Sequence, residues 1–60
     1  MKDWTIRITH PNGQKTCFFN TWATKRDAME YAQKLQEAFG PRGYSHEVLN
    51  RKTKKATPVY

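Results

Sequence analysis

Few side chains in this sequence could do covalent or metal chemistry. Cys17 is the only cysteine, and His10 and His46 are the only histidines. A nucleophilic site needs a serine or cysteine within hydrogen-bond reach of a base that a third group orients. Cys17 falls on a strand face expected to be core, where a thiol behaves as a small hydrophobe. One cysteine cannot build a thiolate zinc site, and neither histidine has a ligand-like spacing, so no metal or cofactor is expected. Asp27, Glu30 and Glu37 fall on the wet side of an expected helix, not as paired acids in a cleft. Gly13, Gly40 and Gly43 each fit a turn or cap, which leaves no glycine-rich phosphate loop. The chain therefore reads as a binding module with no catalytic residues and no small-molecule substrate.

Charge points to what it binds. Eleven Lys/Arg against five Asp/Glu give a formal net charge of +6 over 60 residues. Such an excess favours nucleic acid or an acidic protein surface as partner. Residues 42–60 hold five Lys/Arg and one Glu, and Arg51, Lys52, Lys54 and Lys55 fall within five positions. That run is expected to be a phosphate-tracking tail over residues 51–60, following one domain over residues 1–50. No apolar stretch approaches the ~18 residues of a membrane span, and no secretory signal pattern precedes the first strand. A lone cysteine also fits a reducing compartment. A soluble, cytoplasmic protein with no membrane partner is expected.

The elements that must position these residues are legible. Trp4-Thr5-Ile6-Arg7-Ile8-Thr9 alternates apolar and polar, the period of a half-buried strand. Asn12-Gly13 is the strongest short hairpin signal, and Lys15 to Asn20 reads as the returning strand. A two-residue turn there would pair Thr9 with Thr16, Ile8 with Cys17 and Arg7 with Phe18. Trp4, Ile6, Ile8, Cys17 and Phe19 would then face the core. Thr5, Arg7, Thr9, Thr16, Phe18 and Asn20 would face the other way.

A helix over about Lys25 to Phe39 follows, with Thr24 as N-cap, Asp27 completing a variant capping box, and Gly40-Pro41 as the stop. Ala28, Ala32, Leu35 and Phe39 recur at helical spacing. Tyr44 to about Arg51 reads as a third strand, with His46 and Val48 on one side and Glu47 and Leu49 on the other. The order ββαβ with a right-handed crossover predicts an α+β fold, a three-stranded sheet of order 2-1-3 with one helix on one face. The uncovered face would carry Arg7, Thr9, Thr16 and Phe18. An aromatic there can stack on a base or fill a protein pocket, while arginine pairs with phosphate or carboxylate. The expected partner-binding set is thus Arg7, Thr9, Thr16, Phe18, Arg51, Lys52, Lys54 and Lys55.

Two resemblances accompany these motifs. Trp4-x-Ile6-Arg7-Ile8, a turn with Gly13, and Trp22-x-Thr24-Lys25-Arg26-Asp27-Ala28 resemble the N-terminal arm-binding domain of phage-type tyrosine integrases. That family uses its sheet face on DNA, which would place Arg7, Thr9, Thr16 and Phe18 at the DNA. It has three strands before its helix, whereas here one is expected after it. The strand-strand-helix-strand order, with Trp4, Thr24, Ala28 and Gly43-Tyr44, is similar to small phage-encoded inhibitors of bacterial RNA polymerase. These resemblances imply a phage or mobile-element protein working in the host cytoplasm. The leading expectation is a nucleic-acid-binding module; the alternative is a protein-binding inhibitor or regulator of a host enzyme.

Overall fold

A computed structural model describes residues 2–59. In chain order the elements are β1 (Trp4–Thr9), β2 (Lys15–Cys17), α1 (Lys25–Phe39), a 3-10 turn (Gly40–Arg42), β3 (Ser45–Asn50) and β4 (Ala56–Pro58). The fold is α+β. One helix lies on a four-stranded antiparallel sheet of order β2-β1-β3-β4. The expected order 2-1-3 is present, but the sheet has a fourth strand. The segment expected as a basic tail turns after β3 and pairs back onto it as β4, with Glu47 opposite Pro58 and Leu49 opposite Ala56. Val59 follows β4, donating its N–H to the His46 carbonyl at 3.2 Å and packing on the core. The sequence offers Val59-Tyr60 as an apolar anchor for the tail; Tyr60 lies outside the described residues.

The helix forms where its caps place it. Thr24 is extended, and its hydroxyl accepts the Asp27 N–H at 3.2 Å, satisfying one of the free donors of the first turn. At the other end α1 stops at Phe39 with Gly40 as its C-cap, as expected, although the Gly40 backbone is still right-handed helical. The 3-10 turn carries the chain on to Gly43, whose φ of +94° supplies the left-handed residue that ends it. The space at Gly40 has another use. A Cβ there would come within 2.5 Å of the Gln36 amide nitrogen.

That amide ties helix to sheet. Gln36 Nε2 donates to the Tyr44 carbonyl at 3.3 Å, which leaves Gln36 Oε1 to accept from His46 Nδ1 at 2.9 Å. His46 is buried on β3, and burial lowers its pKa below the ordinary imidazole value. The unfolded chain therefore binds more protons at acid pH than the folded one. Stability should be full above about pH 6.5 and fall as the pH drops below it. His46→Asn keeps a donor near the Nδ1 position, so urea titrations at pH 7.5 and 5.5 should differ less for this variant than for the parent. An equal acid loss in both would show that His46 is not its source.

The core is thin. Ile6 and Val48, paired on the central strands, meet Ala28 and Ala32 of α1, and all four are fully buried. The two alanines let the helix approach the sheet closely. Trp4, Ile8, Phe18, Trp22, Met29, Leu35 and Val59 surround this centre as partly buried neighbours.

The β1–β2 register corrects the expected one by a single residue. Thr9 pairs with Lys15, Ile8 with Thr16 and Arg7 with Cys17. A two-residue turn would need Pro11 to close the hairpin, and proline has no N–H to give. His10 closes it instead, donating to Gln14 O at 2.7 Å and accepting from the Gly13 N–H at 2.9 Å. The loop becomes Pro11-Asn12-Gly13, with Gly13 at φ +90°. A one-residue slip moves every β2 side chain to the opposite face. Phe18 and Thr16 therefore lie on the helix side, whereas Cys17 is exposed and Phe19 is turned out of the core.

Candidate nucleic-acid interface

The sheet face away from α1 carries Thr5, Arg7 and Thr9 from β1, opposite Leu49, Glu47 and Ser45 of β3. Arg7 is not the free cation that the sequence led us to expect. Its Nε donates to Glu47 Oε1 across the strands, and this hydrogen bond raises the guanidinium pKa and holds the pair together. Thr9 lies at the same face's far end, opposite Lys15 and Ser45. Thr16, on the other face, has its hydroxyl 2.9 Å from His10 Nε2. Phe18 packs among Trp22 and Tyr31, with ring centroids 6.0 and 5.5 Å away. Of the four residues expected on one open face, two are there, and Arg7 is occupied.

The feature that replaces them is a bulge. Phe18 N–H donates to the Ile6 carbonyl at 2.7 Å, and the next backbone pairing with β1 is the two-bond bridge between Trp4 and Trp22. Residues 19–21 are too many for the stretch of β1 they pass, so they loop outward. The buried Thr5 hydroxyl donates to the Asn20 carbonyl at 3.1 Å, satisfying a group the bulge takes out of the ladder, and approaches Phe18 O at 3.5 Å. Asn20 Oδ1 accepts the Thr21 N–H at 3.0 Å. Phe19 is left 91% exposed at the tip. One face of its ring stacks on Phe18, with centroids 4.6 Å apart and planes inclined by 26°.

Across the sheet stands the β3–β4 turn, where Arg51, Lys52, Lys54 and Lys55 are all exposed. Asn50 builds this turn. Its side-chain oxygen accepts from the N–H groups of Lys52 and Thr53 at 2.9 and 3.0 Å, its carbonyl from Lys54 N–H at 2.7 Å, and its own N–H donates to Lys55 O at 2.9 Å. Arg51 N–H adds a bond to the Asp3 carbonyl at 2.7 Å. Lys54 sits at φ +65°, a left-handed conformation uncommon for a side-chain-bearing residue. The four cations expected on a loose tail are carried on a hydrogen-bonded hairpin.

Bulge and turn border one groove of about 490 Å³, lined by Thr5, Cys17, Phe18, Phe19, Thr21, Leu49, Arg51 and Lys54. Among the described residues its lining holds two cations and no carboxylate. Of the expected partner-binding residues, Arg51, Lys54 and Phe18 line this groove, while Lys52 borders a neighbouring depression with Lys2 and Asp3. Phe19, Thr5, Cys17, Thr21 and Leu49 are the residues that sequence reasoning missed at this site. Pro11, read for its missing N–H, was the signal that would have found Phe19. No group of three or more His, Cys, Asp or Glu that could hold a metal occurs among the described residues. No helix among them is long and apolar enough to cross a membrane. In comparisons with known proteins, no family model matches the chain significantly, and neither does any curated sequence or solved structure.

Proposed function

We propose that this chain is a nucleic-acid-binding module that works through the groove between the Phe19 bulge and the basic β3–β4 turn. The observation that carries this reading is the hydrogen-bonded turn, which fixes Arg51, Lys52, Lys54 and Lys55 together beside an exposed aromatic. Phosphate neutralisation by clustered cations supplies most non-specific affinity, and fixing them on a turn lowers the entropy lost on binding. The resemblance to integrase arm-binding domains supports the same use of a sheet face, with Phe19 taking the place expected for Phe18. As a phage-encoded protein the chain would act in the host cytoplasm.

Salt provides the test. Four phosphate contacts give a log–log slope of about −2.8 on single strands or −3.6 on duplex, so affinity should fall about 50- to 150-fold between 50 and 200 mM salt. The variant Arg51→Gln, Lys52→Gln, Lys54→Asn, Lys55→Gln should flatten that slope while melting close to the parent. Asparagine is chosen at 54 because it tolerates positive φ. Absence of binding at 50 mM salt would overturn the proposal. So would a partner captured from lysate that survives nuclease, because it would favour the host-protein reading instead.

A further inference from the structure

Resting on that reading, we infer that the groove takes single-stranded nucleic acid, with one unpaired base stacked on the outer face of Phe19 and neighbouring phosphates at Arg51 and Lys54. The ring of Phe19 is 91% exposed on a bulge that hydrogen bonds hold outward. Its inner face is already stacked on Phe18, which leaves the outer face for a planar ligand. Within a duplex the faces of each base are covered by its neighbours, so only an unpaired base can use such a platform.

The surroundings fit the same ligand. Arg51 and Lys54 line the groove opposite the bulge, and Leu49 joins the buried Thr5 along it. The nearby carboxylate of Glu47 is tied to Arg7 and is not among the lining groups. Among the described residues no helix covers this side of the sheet, so none is presented there to enter a major groove. The single helix packs its Ala28–Ala32 stripe on the opposite side. Stacking on an aromatic is tolerant of base identity, and little sequence preference is expected.

The test uses fluorescence anisotropy of the full chain with a labelled 12-nucleotide oligothymidylate and, separately, a 12-base-pair duplex. The single strand should bind at least tenfold more tightly at 100 mM salt. Phe19→Leu should weaken single-strand binding roughly 5- to 150-fold, the range a lost base stack covers, with the melting temperature unchanged. Phe19→Trp should restore binding to the parent level or above. Equal or tighter duplex binding, or an unaffected Phe19→Leu, overturns the single-strand inference and leaves the nucleic-acid reading standing. Failure of both probes to bind overturns the two together.

Discussion

Phe18→Ala should lower the melting temperature by roughly 10–20 °C, whereas Phe19→Ala should leave it within a few degrees of the parent. Phe18 is half-buried, lies on the core and touches the rings of Trp22 and Tyr31. Truncating a fully buried phenylalanine costs about 3–5 kcal/mol, so this partly covered one should lose about 2–3 kcal/mol. In a domain of this size each kcal/mol moves the midpoint by about 4–8 °C. Phe19 has little buried surface to lose. Thermal denaturation followed by circular dichroism checks the pair. The same register predicts that Cys17, exposed on β2, reacts with a thiol reagent nearly as fast in the native state as in denaturant. A destabilising Phe19→Ala with a protected Cys17 would mean that the strand faces are reversed.

Ile6→Ala should have the largest effect of any single truncation. Ile6 is wholly buried at the centre of β1, opposite Val48 and beneath α1. An isoleucine-to-alanine change in a core costs about 2–5 kcal/mol, and the cost rises with the cavity left behind. Directly above it the helix presents Ala28 and Ala32, whose methyl groups have no rotamer that could swing into the space. A domain of this length has about 3–9 kcal/mol of total stability, so the variant should lose half or more and be substantially unfolded at 37 °C. Leu35→Ala, at a half-buried position, should lose less. Urea titration of both variants tests the ranking. A midpoint for Ile6→Ala near that of the parent would mean that β1 is not the centre of the sheet.

Both predictions depend on information that the sequence carries unevenly. The bounds of the helix were legible: Thr24, Asp27 and the spacing of Ala28, Ala32, Leu35 and Phe39 predict Lys25 to Phe39, and α1 has those bounds, although Phe39 at the end of the stripe is exposed. Caps and helical periodicity are local, acting over a few residues, so they survive any error elsewhere. The central strands were legible for a similar reason, since β1 alternates cleanly. The short crossover through one helix then favours β3 beside it. The split of Val48 inward and Leu49 outward also followed from the pattern.

What the tertiary structure decided, beyond the local signal at Pro11, is which phenylalanine lies outward and the fate of the basic run. Phe18 and Phe19 are adjacent and equally apolar, so periodicity cannot choose between them. The choice falls to Pro11, which moves the hairpin closure to His10, and to the space beneath α1, which Phe18 fills. The bulge at residues 19–21 exists because Trp22 must reach Trp4 while Phe18 stays on Ile6, and both contacts are long-range. Residues 51–55 have no hydrophobic period to mark a strand after them. They become a turn because Asn50 gathers their N–H groups and because Ala56–Pro58 finds the free edge of β3. Composition determined that this protein is basic; the folded chain determined that two of its cations, Arg51 and Lys54, and one exposed ring line the same groove.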